Sequence, residues 1–233
     1  MGQFRAVFSI RSENPMTPHM TKPLIQIALD LLDFHETIAL AKQVAPYADI
    51  LEIGTPCIKS NGLGVVSEIR ERFPDRLILA DLKTMDAGEY ESTPFYAAGA
   101  DICTVLGVSD PATIAGVVRA ARNHNAQAQI DLINVPHKAE RVKTLSRLGA
   151  RIIGIHTGLD GQAMGQTPFS DLREIVSLGL DDVRISVAGG IGPATVRRAA
   201  LVGADIIVVG TAVYGVPSPA KAAREIRRLV DTL

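Results

Sequence analysis

A lysine flanked by two carboxylates is the pattern in this sequence that most suggests chemistry. Asp81, Lys83 and Asp86 have the spacing D-x-K-x-x-D and follow an apolar run at residues 76–80. Because side chains alternate between the two faces of a strand, Asp81 and Lys83 should point the same way, with Asp86 where the strand turns into a helix. Such a trio can hold a metal, move a proton and stabilise developing negative charge. An ion-paired strand end without a catalytic role is the alternative for this motif taken alone.

Four further polar side chains stand at the ends of other apolar runs, namely Asp30, Glu52, Asp131 and His156. A charged group in a strand that is buried on both faces is costly unless it is paired or bound to a metal. Their convergence with the lysine motif therefore favours one functional site. Asp30 could instead cap the helix that follows it, and Asp131 could be a buried structural acid.

Short apolar runs alternate with amphipathic stretches throughout residues 22–233, which predicts one domain. The predicted strands are 24–29, 49–53, 77–81, 101–106, 128–133, 151–156, 184–188 and 205–209. The predicted helices are 34–45, 64–72, 87–98, 112–123, 137–148, 168–177, 193–202 and 218–230. This alternation predicts an α/β fold, a single (β/α)8 TIM barrel, whose active site lies at the C-terminal ends of the strands. An open doubly wound sheet is the weaker alternative.

A faint internal repeat supports the barrel. The tripeptides that begin at Ala48, Ala100, Ala150 and Ala204 read Ala-Asp-Ile, with arginine replacing aspartate in the third, and each enters an even-numbered strand. They recur at intervals of about fifty residues, as expected for a barrel built of like quarters. Shared helix-to-strand turn chemistry is the other explanation.

Two glycine-bearing turns follow the predicted seventh and eighth strands. Gly189 and Gly190 belong to the first turn, and Gly210 and Thr211 belong to the second. Backbone N–H groups at such turns form anion sites, and these are the loops in which barrels bind phosphate. The sequence from Gly190 resembles the start of a dinucleotide fingerprint but lacks its third glycine, so phosphate without a dinucleotide is favoured.

Residues 157–167 carry three glycines and follow His156 directly. This stretch has the composition of a mobile loop that closes over a bound ligand. An ordinary connector is the equal alternative.

Composition limits the classes of partner. The chain has 233 residues, a formal net charge of −1 and 47% hydrophobic residues, so no basic excess indicates a nucleic-acid partner. No apolar run has the length of a membrane span. The two cysteines are typical of a reducing compartment, and we expect a cytoplasmic protein.

Residues 1–21 differ from the rest of the chain. A short apolar stretch is followed by a polar segment broken by prolines, without the features of a secretory signal. We expect a disordered or loosely attached N-terminal extension, native or introduced, that is not part of the fold.

Six segments in order resemble the 3-hexulose-6-phosphate synthases, a family within the orotidine-monophosphate-decarboxylase suprafamily. They are IALD (27–30), LEIGTP (51–56), LADLKTMDAG (79–88), IDLIN (130–134), HTGLD (156–160) and VAGGI (187–191). The resemblance covers the chain from about residue 22 to the C-terminus. It implies an aldehyde-lyase that adds formaldehyde to ribulose 5-phosphate through an enediolate, for formaldehyde fixation in the ribulose monophosphate pathway.

The resemblance also implies roles for the residues. Glu52 and Asp81 would hold Mg²⁺, with Mn²⁺ as a substitute, since hard oxygen ligands suit these ions better than zinc. Lys83 would stabilise the enediolate, and His156 is our choice of proton-transfer base. Two carboxylates, Asp30 and Asp131, would bind sugar hydroxyls, while Gly189, Gly190, Gly210 and Thr211 would bind the phosphate. Members of the family form homodimers, and Asp86 would reach the neighbouring subunit's site.

Two alternative functions remain at this point. The 3-keto-L-gulonate-6-phosphate decarboxylases are a sister family, but they have glutamate where this chain has Asp131 and arginine where it has Leu159 and Thr211. A barrel that binds a sugar phosphate without catalysis is the alternative from another class. The intact cluster of costly polar groups argues against it.

Overall fold

Eight parallel strands close into a barrel. The computed structural model describes residues 22–180 and 182–233, so the predicted extension at residues 1–21 lies outside the described residues. The strands are β1 (Leu24–Leu29), β2 (Ile50–Ile53), β3 (Leu77–Thr84), β4 (Ile102–Leu106), β5 (Gln127–Asp131), β6 (Ile152–His156), β7 (Arg184–Ala188) and β8 (Ile206–Val209). They pair in sequence order, and β8 returns to β1. The predicted (β/α)8 barrel is confirmed.

Helices surround the barrel between the strands. They are α1 (Phe34–Val44), α2 (Thr55–Asn61), α3 (Gly64–Arg72), α4 (Gly88–Ala97), α5 (Pro111–Asn123), α6 (Lys138–Ser146), α7 (Leu159–Ala163), α8 (Phe169–Val176), α9 (Val196–Val202), α10 (Thr211–Tyr214) and α11 (Pro219–Asp231). A short 3₁₀ turn at Ala45–Tyr47 follows α1. Helix α5 illustrates the pattern, since proline opens its first turn and Ile114, Val117 and Ala121 bury one face. Among the helices of the described residues, none combines the length and apolar character needed to cross a bilayer.

Three short helices were not predicted. Helices α2, α7 and α10 begin directly after Gly54, Gly158 and Gly210, at the C-terminal ends of β2, β6 and β8. Each is only one or two turns long, so it lacks the apolar periodicity that identifies a helix from sequence. The predicted loop at residues 157–167 therefore contains α7.

Two strand boundaries differ from the prediction by two or more residues. Strand β3 extends to Thr84 rather than ending at Asp81, and its pairing with β4 is irregular between Ala80 and Thr84. Strand β5 ends at Asp131, two residues earlier than predicted, because its carboxylate accepts a hydrogen bond from the Ile133 N–H and starts a turn.

The internal repeat has a structural explanation. The carboxylates of Asp49 and Asp101 each accept a hydrogen bond from a backbone N–H of the preceding strand, at 2.8 Å in both cases. Asp205 does the same at 2.8 Å with the Ile185 N–H. The repeated aspartate thus ties neighbouring strands together at the N-terminal face of the barrel, which is the face that serves stability.

Candidate active site

A cavity of about 840 Å³ opens at the C-terminal ends of the strands. All but one of the predicted site residues line it: Asp30, Glu52, Asp81, Lys83, Asp131, His156, Gly189, Gly190, Gly210 and Thr211. Parallel strands carry their C-terminal ends to one rim, so residues far apart in sequence meet there. Asp86 is exposed and lies outside the residues that line this cavity.

Lys83 enters the cavity from an irregular backbone rather than from a regular strand. Its φ of 49° lies in the left-handed region, and the pairing of β3 with β4 shifts at this point. The Lys83 N–H donates to Thr104 Oγ1 at 2.9 Å instead of to a strand carbonyl. Regular alternation was therefore the wrong reason for placing Lys83 beside Asp81, since a bulge re-aims the side chain.

Lys83 lies between two carboxylates. Its Nζ is 2.6 Å from Asp81 Oδ2 and 3.2 Å from Asp131 Oδ2. Burial by itself would lower the pKa of Lys83, but the attraction of Asp81 and Asp131 raises it above its ordinary value. The ammonium group therefore stays charged at neutral pH and presents a fixed positive charge to the cavity.

His156 is held by the same carboxylate. Its Nδ1 lies 2.9 Å from Asp131 Oδ2. Burial raises the pKa of Asp131, but the hydrogen bond and charge of His156 together with Lys83 bring it below its ordinary value. Burial lowers the pKa of His156, and the bond to Asp131 reverses this and raises it. An ionised carboxylate only accepts hydrogen bonds, so Nδ1 carries the proton and Nε2 is the ring nitrogen that can accept one.

Glu52 and Asp30 are two further carboxylates, and the charge of Asp81 acts on both of them. Burial, followed by the charges of Asp81 and Asp30, raises the pKa of Glu52 to about 8. Burial and Asp81 likewise raise the pKa of Asp30. These raised values have a common cause, because negative charges are crowded in a site with limited access to water. A cation at this position would relieve the repulsion.

The donor set fits a hard divalent cation. Glu52 and Asp81 offer carboxylate oxygens, and within residues 22–180 and 182–233 no three His, Cys, Asp or Glu side chains form a ready-made metal cluster. An ion held by these two residues would complete its coordination with water and ligand oxygens, as Mg²⁺ commonly does.

Asp30 depends on close approach to a glycine and a tyrosine. A Cβ at Gly54 would lie 1.8 Å from Asp30 Oδ1, so only glycine leaves room for the carboxylate. The Tyr214 hydroxyl lowers the pKa of Asp30, which only partly offsets the rise caused by burial and by Asp81. Burial and the Asp30 charge raise the pKa of Tyr214 to about 12, so the phenol remains protonated. The role of Asp30 as a simple helix cap has no support, since Asp33 caps α1 instead.

The two glycine turns lie side by side in the cavity wall. Gly189 has a φ of 110°, and a Cβ there would lie 2.3 Å from the Thr157 carbonyl oxygen. Gly190 has a φ of 66°. In the neighbouring turn, Gly210 caps α10 and Thr211 is its first residue. These turns bring backbone N–H groups and one hydroxyl to the same rim as the charged side chains.

Four residues that contribute to the site were not predicted: Gln26, Thr55, Thr104 and Tyr214. Thr55 and Thr104 donate to the two oxygens of Asp81, at 2.8 and 2.7 Å. Gln26 Nε2 donates to Glu52 Oε2 at 2.6 Å. Strand alternation could have identified Gln26, because it lies four residues before Asp30 and therefore on the same face of the first strand. For Tyr214, one helical turn after Gly210, no signal was available without α10.

The Orotidine 5'-phosphate decarboxylase / HUMPS family matches residues 23–226 of this sequence. The chain belongs to this family. The predicted membership of the suprafamily is therefore confirmed, and the match includes every strand of the barrel.

Relatives within the family share most of their length with this chain. The 3-hexulose-6-phosphate synthase of Methylomonas aminofaciens is 59% identical over 206 residues, which cover 88% of this chain and 98% of the relative. The 3-hexulose-6-phosphate synthase of Mycobacterium gastri is 43% identical over 208 residues, covering 88% and 99%. The resemblance to the synthases is confirmed.

Solved structures of family members have the same fold. The 3-hexulose-6-phosphate synthase of Salmonella typhimurium has a TM-score of 0.87 and 39% identity, covering 90% of this chain and 99% of the other. A 3-keto-L-gulonate-6-phosphate decarboxylase from Vibrio cholerae has a TM-score of 0.79 and 30% identity, covering 91% and 99%. Both the synthase and the sister enzyme thus share this barrel. Their activities must therefore be distinguished by differences in side chains rather than by the fold.

All three positions that distinguish the sister family line the cavity, namely Asp131, Leu159 and Thr211. Leu159 lies at the edge of the cavity with 65% of its surface exposed. Thr211 lies in the wall beside Gly210. An apolar and a neutral side chain at these places make the mouth less basic than arginines would.

Proposed function

We propose that this chain is a 3-hexulose-6-phosphate synthase, which adds formaldehyde to D-ribulose 5-phosphate and yields hex-3-ulose 6-phosphate. The proposal is supported above all by the relative from Methylomonas aminofaciens, 59% identical over 206 residues. The cavity adds chemical support, because it combines a charged lysine, a paired histidine and a carboxylate cluster.

Binding would orient the substrate by its two ends. The phosphate would bind at the turns of Gly189, Gly190, Gly210 and Thr211, where backbone N–H groups meet an anion. Asp30 and Asp131 would accept hydrogen bonds from sugar hydroxyls, with Asp131 also holding His156. The reactive end of the sugar would then lie among Lys83, Glu52 and Asp81.

The chemistry needs one proton removed and one carbon–carbon bond formed. His156 Nε2 would take a proton from C1 of ribulose 5-phosphate, and the Lys83 ammonium group would stabilise the resulting enediolate. C1 would then attack the formaldehyde carbon, and the formaldehyde oxygen would take up a proton from the site. His156 is suited to this step because Asp131 fixes its tautomer and its ring orientation.

Glu52 and Asp81 would hold Mg²⁺, or Mn²⁺ in its place. The bound ion would supply additional positive charge to the carbonyl and hydroxyl oxygens of the sugar. Support comes from burial and from the neighbouring charges of Asp81 and Asp30, which together raise the pKa of Glu52 to about 8.

Asp86 would act in the active site of a second subunit. The side chain is exposed, and large apolar side chains near it are also exposed, with 54% of Met85, 85% of Tyr90 and 40% of Val108 accessible. A homodimer that covers this surface would bury those side chains and carry Asp86 to the neighbouring cavity. A cytoplasmic location stays a prediction.

A comparison of two substrates tests the proposed function. With ¹³C-labelled formaldehyde and ribulose 5-phosphate, we expect NMR signals of a labelled hexulose phosphate. With 3-keto-L-gulonate 6-phosphate, we expect at most slow release of CO₂. Faster release of CO₂ than addition of formaldehyde would favour the sister activity instead. Binding of ribulose 5-phosphate without either reaction would favour a non-catalytic barrel.

A further inference from the structure

A polar layer crosses the barrel interior beneath the catalytic cavity. In a (β/α)8 barrel, interior layers of four side chains come from alternate strands. The strand register identifies one layer from the odd strands: Gln26, Leu79, Gln129 and Ser186. Each of the four lines the cavity. Bulky branched apolar side chains usually fill such a layer, yet three of these four residues are polar.

This polar layer lies between two layers of side chains that come from the even strands. Below it, the even strands contribute four isoleucines, Ile50, Ile102, Ile152 and Ile206, which pack in an apolar cluster of their own with Leu79. Above it, the even strands contribute Glu52, Thr104, Gly154 and Val208, which line the cavity. The polar layer therefore lies between an apolar floor and the proposed metal site.

Each polar side chain of this layer has a buried atom without a protein partner. Gln26 and Ser186 are 1% exposed and Gln129 is 7% exposed. Within the described part of the chain, Gln26 Oε1, Gln129 Oε1 and Ser186 Oγ make no hydrogen bond to protein. Native proteins rarely leave such atoms unsatisfied, and buried water is their usual partner. Gly154 contributes space here, since a Cβ on it would lie 3.0 Å from Gln129 Nε2.

Gln26 links this layer to the carboxylate above it. Its Nε2 donates to Glu52 Oε2 at 2.6 Å, in a fully buried contact. Its Oε1 is one of the atoms without a protein partner. The two ends of an amide have opposite hydrogen-bonding character, so a donor bound at Oε1 keeps Nε2 turned toward Glu52.

We propose that Gln26, Gln129 and Ser186 form a water-binding site, and that this bound water holds Gln26 in the orientation that positions Glu52. Gln26 is then a positioning residue rather than a catalytic residue. The second half of the proposal rests on the metal-binding role proposed for Glu52, whereas the water site itself does not.

The water site is tested by a crystal structure of the full chain at about 1.5 Å resolution. We expect ordered water within about 3.2 Å of Gln26 Oε1, Gln129 Oε1 and Ser186 Oγ. Absence of such density, or direct hydrogen bonds among the three side chains, would overturn the water site.

The positioning role is tested by titrating Mn²⁺ into the protein and following its electron paramagnetic resonance signal. Gln26→Leu should weaken Mn²⁺ binding roughly 10–100-fold, as the loss of a residue that orients a metal ligand commonly does. Ser186→Ala should weaken Mn²⁺ binding less than Gln26→Leu does. In a protein that already carries Gln26→Leu, it should not weaken Mn²⁺ binding further, because both substitutions act through the Gln26 amide.

A matched control separates positioning from general damage. Ser92 is 0% exposed and its Oγ donates to the Gly88 carbonyl at 2.7 Å, outside the residues that line the cavity. Ser92→Ala should retain the Mn²⁺ affinity of the natural sequence. If Gln26→Leu binds Mn²⁺ as tightly as the unaltered chain, the positioning role is refuted. If the unaltered chain binds no Mn²⁺, the proposed metal role fails, and the positioning role of Gln26 fails with it. The crystal structure still decides the water site.

Discussion

Replacing Asp131 with asparagine tests the network that joins Lys83 to His156. The Asp131 side chain is 5% exposed, and its Oδ2 lies 2.9 Å from His156 Nδ1 and 3.2 Å from Lys83 Nζ. Its Oδ1 accepts from the Ile133 N–H at 2.8 Å. Asparagine keeps the shape of the side chain and this turn-forming bond but removes the negative charge. The variant therefore isolates the charge from the packing.

The magnitude follows from the charged hydrogen bond to His156. A hydrogen bond of this kind contributes about 1.5–3 kcal/mol, so a double-mutant cycle of Asp131→Asn with His156→Phe should give a coupling of that size while the imidazole is protonated. Asp131 raises the pKa of His156 above its ordinary value of 6.5. The stabilisation is thus fully present below pH 6.5 and is lost as the pH rises through the folded pKa.

At low pH the coupling energy changes with pH in the opposite direction. The pKa of Asp131 lies below its ordinary value of 3.8, so its contribution is present above pH 3.8 and is lost as the pH falls through the folded value. Three charged groups influence the titration of His156, namely Asp131 and Asp81, which raise its pKa, and Lys83, which lowers it. We therefore expect the largest coupling between these limits.

Chemical unfolding at constant protein concentration measures this coupling at about pH 6 and about pH 9. NMR titration of the labelled imidazole should show a lower pKa for His156 in Asp131→Asn than in the unaltered chain. Equal coupling at both pH values, or an unchanged pKa of His156, would refute the assignment of Asp131 as the partner that holds the imidazolium.

Further predictions concern turnover, stability and assembly. Lys83→Met should reduce kcat roughly 10²–10³-fold without unfolding the barrel, because it removes a fixed charge from the reacting oxygens, as steady-state kinetics and circular dichroism will check. Thr104→Val should lower the free energy of unfolding by about 1–3 kcal/mol, measured in urea, because Asp81 loses a donor and the Lys83 N–H loses its acceptor. Asp86→Ala should be inactive alone, yet mixing it with Lys83→Met should restore activity, since one site of the mixed dimer is then intact. Failure of the mixture to recover would place Asp86 outside the neighbouring site.

The positions of the charged side chains were predictable because strand ends converge in a parallel barrel. Asp30, Glu52, Asp131 and His156 each interrupt or end an apolar run, and that signal needs no knowledge of distances. The pairing of Asp131 with His156 was not predictable, since it depends on side chains from neighbouring strands meeting at 2.9 Å.

Features that depend on local irregularity could not be predicted. Lys83 reaches Asp81 through a bulge, and its backbone N–H bonds a threonine from the next strand. Helix α10 places Tyr214 against Asp30, but its four residues are too few to show helical periodicity. Hydrogen-bond partners such as Thr55 and Thr104 have no motif of their own and are found only once the fold brings them to Asp81.

Formaldehyde consumption tests the central claim most directly. Purified protein would be mixed with formaldehyde and ribulose 5-phosphate, first with Mg²⁺ and then after treatment with EDTA, and free formaldehyde would be measured over time. We expect consumption that requires both the sugar phosphate and the metal, and that returns when Mg²⁺ or Mn²⁺ is added back. Consumption unaffected by EDTA would contradict the role proposed for Glu52 and Asp81. No consumption by folded protein with metal present would contradict the proposed synthase activity itself.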